Sequence, residues 1–298
     1  MTSQQSSLRR ASCAAGPTGC AYEDRCTAAA TCLAVRPSHD HRDAVLRTLH
    51  RMRTFPGYRY SLNEMARTAL LSPFYFHRVF RRITATTPSR FLTALRMAEA
   101  KRMLMDTSLN VTEICDAVGY ASLGTFTTQF SRYVGLSPSR FRNATLRYGE
   151  QPMSEVLAGF RPDLGSNGKP PVIGVLTGGP GAATVAAVGL FNSAIPQGQP
   201  EMGTVVTVPG VARFPGLADG DYHALAMCLD ERASVGRALR DTEGPSGYVG
   251  ASRDLVLVSH GRSAPFEIEL RTPDAVDPPI VFAAPLLLAI AVNSQVSL

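Results

Sequence analysis

The sequence predicts two unlike domains in one chain: an N-terminal all-α seven-helix tandem helix-turn-helix domain, then a C-terminal antiparallel β-sandwich. Three observations predict it. First, Ser72, Phe76, Phe80, Arg82, Pro88, Ser89, Arg90 and Phe91 recur 50 residues later as Ser122, Phe126, Phe130, Arg132, Pro138, Ser139, Arg140 and Phe141, the mark of a duplicated unit. Second, residues 42–148 hold four Gly and four Pro among 107, whereas residues 170–298 hold 15 Gly and 13 Pro among 129, a density of turns that suits short strands. Third, 298 residues of which 45% are hydrophobic supply enough apolar material for a core in each half.

Residues 1–38 are rich in Ala, Ser, Thr and Cys without an apolar period, which predicts a disordered extension. Its cysteines, Cys13, Cys20, Cys26 and Cys32, are separated by six, five and five residues and lack the two-residue gaps of zinc knuckles. No metal site and no cofactor is expected. With Cys115 and Cys228 isolated, no disulfide framework is expected either.

A first helix is expected from about Asp40 to Phe55, with Val45, Leu49 and Met52 inward and Pro56-Gly57 as its stop. Each copy of the repeat then supplies a short helix (Leu62 to Ala69, Val111 to Val118), a tight turn, and a second helix opened by Ser72-Pro73 or Ser122. Serine caps free N–H groups at a helix start, and proline suits the first helical position. The four-residue steps Phe76–Phe80 and Phe126–Phe130 put both rings on one helix face, where they close a three-helix core. Between the copies a helix from Ser89 to about Asp106 carries an apolar stripe of Phe91, Leu92, Leu95, Ala98 and Leu104. Roughly 18 residues make a spacer of about 27 Å.

Residues 149–170 are expected to be a linker closing in GSNGKPP, a hinge-like composition. From 171 to 298 the segments PVIGVL, GTVVTVPG, DGDYHALAMCL, RDLVLVSHG, PFEIELR and PPIVFAAPLLLAI have strand composition, predicting seven or eight strands. Cys228 reads as a small core residue.

The net charge is +6, but it is unevenly placed. Residues 42–148 carry 17 Lys or Arg against six Asp or Glu, +11, so the rest of the chain sums to −5. Such a field attracts a polyanion and lets each cation displace a condensed counterion. Nearly all these cations are arginines, whose planar fork matches phosphate oxygens or a guanine edge. Double-stranded DNA is the expected partner. The longest apolar run, Ile280 to Val292, has 13 residues and contains Pro285, short of the roughly 20 needed to span a bilayer. The start of the chain carries no apolar run of secretory type, so no membrane association is expected and the expected compartment is the cytoplasm.

The tandem LNEMARTALLSPFYFHRVFRR and VTEICDAVGYASLGTFTTQFSRYVGLSPSRFR, joined by LRMAEAKRML, resemble the DNA-binding domain of AraC/XylS-type bacterial transcription regulators. The resemblance covers about 107 residues, 39–148 as a domain. It implies that two recognition helices enter successive major-groove segments on one DNA face and that transcription initiation is controlled, with RNA polymerase as a further partner. On the first recognition helix, Phe76, Val79 and Phe80 are expected inward and Phe74, His77, Arg78 and Arg81 outward. Family contact positions fall on Phe74, His77 and Arg78. Arg78 is the candidate for guanine, His77 for a phosphate and Phe74 for a thymine methyl group. On the second helix the outward positions are Leu123, Gly124, Thr125 and Thr128. Thr125 and Thr128 suit phosphates and Leu123 a thymine methyl, so discrimination is expected chiefly from the first module. Arg96, Lys101 and Arg102 on the spacer read either as phosphate contacts or as solvated or ion-paired charges, with Arg96 carried among the DNA-binding candidates.

The cadence from VGLF to DGDYHALAM loosely resembles prealbumin-like or carboxypeptidase-regulatory-type modules. GVLTGGPGAATV lacks the Gly-Lys-Ser/Thr ending of a phosphate loop, and His223 and His260 flank no nucleophile arrangement, so no catalytic residue is expected. The C-terminal domain, with seven basic and 12 acidic residues, is expected to avoid DNA and to sense a small-molecule effector or mediate protein contacts. The competing reading makes it a catalytic or carbohydrate-binding module.

Overall fold

The computed structural model describes residues 39–161, 170–179, 184–195, 199–241 and 247–295. The extension 1–38 with its four cysteines, and most of GSNGKPP, lie outside them. The helical part runs α1 (His39–Thr54), α2 (Leu62–Ala69), α3 (Pro73–Thr84), α4 (Pro88–Asp106), α5 (Val111–Ala117), α6 (Leu123–Val134) and α7 (Pro138–Tyr148). Helices α2 and α5 both open in capping boxes, Ser61 with Glu64 and Asn110 with Glu113, each satisfying two otherwise orphaned N–H groups. Ser122 caps Thr125 as expected. Ser72 makes no such side-chain bond, and Pro73 alone sets the start of α3.

The repeat is built around phenylalanine. Phe76, Phe80 and Phe91 form an aromatic chain with centroids 5.5 and 5.7 Å apart, and Phe126, Phe130 and Phe141 repeat it at 5.8 and 5.8 Å. All six rings are fully buried. Each pair meets tilted or edge to face, the arrangement that ring quadrupoles favour. In both copies the second helix ends on a left-handed residue, Ala85 at φ 56° and Gly135 at φ 91°.

The spacer differs from the one-sided stripe expected for it. Phe91, Leu92 and Leu95 enter the first module's core while Ala94, Met97, Ala98, Ala100 and Leu104 enter the second, so α4 is buried on two sides. Its middle residue holds the modules together. Arg96 Nε donates to the Pro56 carbonyl at 3.0 Å and Nη2 to the Tyr58 carbonyl at 2.9 Å, with the guanidinium 5.6 Å from the Tyr120 ring centre. Beside it the turns of the two modules touch backbone to backbone. A Cβ on Gly57 would lie 2.3 Å from the Ala117 oxygen, and one on Gly119 2.3 Å from the Gly57 oxygen. Only glycine permits that approach.

The segment expected to be a linker contains a helix, α8 (Met153–Gly159), anchored by buried Met153 and Val156. Beyond it lie β1 (Val172–Gly178), β2 (Thr184–Phe191), β3 (Met202–Val208), β4 (Gly210–Phe214), β5 (Gly220–Leu229), α9 (Val235–Asp241), β6 (Val249–Ala251), β7 (Val256–Val258), β8 (Phe266–Leu270) and α10 (Ala284–Gln295). The described strands form a separate sheet region of two open sheets, β4-β1-β8 and β3-β2-β5-β6 with β7 also on β5. Pairing is antiparallel as expected except between β1 and β8, which run parallel. The 87 residues of sequence between Gly178 and Phe266 supply the long crossover a parallel pair requires.

Expectation also fails at PPIVFAAPLLLAI, whose second half is the helix α10 rather than a strand. Pro285 sits in its first turn, where a missing N–H costs nothing, and Leu286, Ala289 and Val292 recur on one buried stripe. This stripe joins Met153, Val156, Val235, Leu239, Phe191 and Met227 in one continuous core with Phe126, Phe130 and Phe141 of the second module. The first module has its own core, to which the C-terminal half contributes Val276. That contact is reinforced by Arg42 on Asp274 at 2.7 Å and by Arg53 donating to the Ala275 carbonyl at 2.6 Å.

Two substitutions test this architecture. Arg96→Ala removes two charge-assisted bonds from carbonyls and lowers stability in urea by about 2 kcal/mol, whereas Arg81→Ala on the exposed face leaves the midpoint unchanged. Ala85→Gly relieves a left-handed alanine and raises stability by about 1 kcal/mol in the same assay.

Candidate nucleic-acid interface

Each second helix presents a face directed away from its phenylalanine core. On α3, burying Phe76, Val79 and Phe80 turns Phe74 and Arg81 outward, with Phe74 76% exposed and His77 and Arg78 half-buried at the edge of the same face. Arg78 is held in place. Its guanidinium lies 5.1 Å from the Tyr75 ring centre, and the Tyr75 hydroxyl meets His41 Nε2 at 3.0 Å, with the two rings edge to face. Tyr75 therefore ties α3 to α1 and gives Arg78 a flat aromatic seat, a cation–π contact that limits where the fork can point. Sequence reasoning passed over Tyr75. The signal was its three-residue spacing from Arg78, which makes neighbours on a helix surface.

On α6, Leu123, Gly124, Thr125 and Thr128 are exposed opposite Phe126 and Phe130, so this face is short, neutral and hydroxyl-bearing. The structure thus brings Phe74, His77, Arg78 and Arg81 together on one helix and Leu123, Thr125 and Thr128 on the other.

Arg96 does not stand with them. Its Nε and Nη2 donate to the Pro56 and Tyr58 carbonyls, and burial pulls its pKa downward. Lys101 and Arg102 also have partners within the chain. Lys101 is 1% exposed with Nζ 3.5 Å from the Ile280 carbonyl, and Arg102 pairs with Glu99 at 2.6 Å. Arg142 likewise donates inward, to the Leu104 and Leu109 carbonyls. The segment's excess charge therefore divides between arginines that fasten the modules and arginines such as Arg47, Arg67, Arg81, Arg90, Arg132 and Arg140 that are exposed. A desolvated guanidinium needs such carbonyl partners, since an unsatisfied buried charge is very costly.

Burial pushes the Cys228 thiol up to about 11 and lowers the His223 pKa, so both are neutral at physiological pH. His260 occupies a turn where its N–H and that of Gly261 donate to the Asp219 carboxylate. No helix among the described residues is long and apolar enough to cross a membrane.

Comparison with known proteins bears on the same segment. Residues 65–144 match the family model described as a helix-turn-helix domain. The chain is 34% identical over 94 residues to the RCS-specific HTH-type transcriptional activator RclR of Escherichia coli (strain K12), covering 32% of this chain and 33% of that protein. It is 38% identical over 74 residues to the raffinose operon transcriptional regulatory protein RafR of Pediococcus pentosaceus, covering 25% of this chain and 27% of that one. The match therefore spans about a third or less of these relatives' length. Among solved structures, the DNA-binding domain of the global transcriptional factor AdpA in complex with a target DNA aligns at TM-score 0.34 and 25% identity, over 38% of this chain and 99% of that one. The duplicated phenylalanine cores, the left-handed caps and the two outward faces thus belong to a helix-turn-helix domain of the AraC type, carried on residues 65–144.

Proposed function

We propose that the chain is a sequence-specific DNA-binding regulator of transcription that lays α3 and α6 in successive major-groove segments of one duplex. The observation that carries this is the pairing of two modules built around the same phenylalanine core on a shared, two-sided spacer helix, each presenting its second helix outward. A recognition helix fits the major groove, and two of them reach adjacent turns when their spacing is fixed near 34 Å. A 19-residue α4, about 28 Å long at 1.5 Å per residue, is a spacer of that order.

In this reading Arg78 is the principal base reader, aimed by Tyr75 at a guanine. Phe74 packs on a thymine methyl, and His77 and Arg81 serve the backbone. Thr125 and Thr128 hold phosphates and Leu123 touches a thymine methyl. Arg96 is a positioning residue. The C-terminal half, 171–298, is read as the regulatory part, its two sheets as the halves of a sandwich, and a small-molecule effector and RNA polymerase as its partners. A cytoplasmic regulator accords with these assignments.

Selection of preferred duplexes from a random pool, followed by anisotropy titrations at several salt concentrations, tests the proposal. Arg78→Ala costs about 1–3 kcal/mol on the selected duplex and much less on random DNA. Equal losses on both would remove its role in base reading. The double variant Thr125→Ala, Thr128→Ala weakens binding modestly and selects the same consensus; a shifted consensus would reverse the ranking of the two helices.

A further inference from the structure

The sheet β3-β2-β5 has two apolar faces. One, with Ala186, Val188, Leu190, Tyr222, Ala224 and Ala226, packs into the core shared by the two sheets. The other turns toward α10, and there Ala187, Gly189 and Gly203 interrupt the larger Val205, Leu225 and Met227, with Leu287, Leu288 and Ile290 in the same cavity wall. Small residues at these sheet positions leave room in front of the helix, and a cavity of about 470 Å³ remains, with Phe160 and Ile280 also in its wall. That is within the usual range for small-molecule sites, about 300–1,000 Å³. It is too small for two turns of a helix about 10 Å across.

The lining is chemically selective. It contains no Asp, Glu, Lys, Arg or His, and its polar side chains are Gln199 and Thr204. An ionised ligand would surrender its hydration here without a counter-charge, whereas an apolar one would gain by leaving water. Position adds a second observation. Phe282 and Leu287, both in the cavity wall, are also the side chains nearest Gly135, the residue ending α6, where an added Cβ would lie 3.1 Å from each. The Ala283 N–H donates to the Val134 carbonyl at 3.1 Å, and Phe191, another wall residue, meets Phe282 edge to face at 5.7 Å.

We propose that this cavity binds an uncharged, mainly apolar small molecule with at most a single polar group, and that its occupancy is read out by α6 through Phe282 and Leu287. The binding half stands on the cavity itself; the readout half rests on the DNA-binding function proposed above. A ligand alters DNA affinity only to the extent that it favours one seating of these side chains over another, and the effect is reciprocal.

The test titrates the full chain with the neutral fluorophore N-phenyl-1-naphthylamine, with and without a selected duplex. Wild type gives saturable one-site binding. Ala187→Leu, which fills the cavity from the sheet, and Ala291→Phe, which fills it from the helix, each weaken the probe at least tenfold while circular dichroism and DNA binding persist. Leu257→Ala, on an exposed strand away from the cavity, does not. Unchanged probe affinity in both filling variants, or no saturable binding by wild type, overturns the site. Duplex shifts the probe Kd severalfold if α6 reads the cavity; an identical Kd with duplex bound overturns the readout. Cavity-dependent probe binding by a chain that binds no duplex supports the site and overturns the DNA-binding function and with it the readout.

Discussion

The arrangement depends on one constraint, the fastening of two duplicated modules at the middle of α4. A half-buried guanidinium donates to the Pro56 and Tyr58 carbonyls while it faces Tyr120 of the other module. Gly57 and Gly119 let the two turns approach closer than any side chain would allow. These contacts cross between modules, and burial of α4 on both sides leaves it little freedom to bend. A pair of loosely tethered helix-turn-helix units would meet DNA as two weak binders; a fastened pair meets it as one surface, with its ordering entropy already lost in folding.

The C-terminal half is attached unequally to that pair. Its helices α8, α9 and α10 merge with the phenylalanine core of the second module, whereas the first module meets it at Val276 and at the Arg42 and Arg53 contacts. The second module also carries the plainer outward face, with Leu123, Thr125 and Thr128 in place of arginine. The proposed division of labour rests on these chemistries. In the proposed function the first module, with Arg78 and Arg81 on its outward face, reads bases, while the second is the module whose core is continuous with the C-terminal helices.

Much of the helical part was legible because its rules are local. The fixed offset of 50 located both modules, the Phe-x-x-x-Phe steps located their cores, and outward positions followed from helical period alone. What escaped was set by tertiary contact. Arg96 looks like any surface cation until the Pro56 and Tyr58 carbonyls are brought beside it. The stripe on α4 is incomplete as an amphipathic pattern because Ala94, Met97 and Ala100 serve a second core on the far side. In the C-terminal half, an apolar run such as PPIVFAAPLLLAI suits a buried strand or a buried helix equally, and its partners decided for the helix. The parallel pairing of β1 with β8 joins segments nearly a hundred residues apart, a separation that no local pattern encodes.

Hydroxyl-radical footprinting on a selected duplex at moderate ionic strength measures the central claim most directly, because it reports where one chain touches each turn. A fastened pair protects two short patches about 10 bp apart on a single face of the duplex. One patch alone, or two patches on opposite faces, would contradict the account.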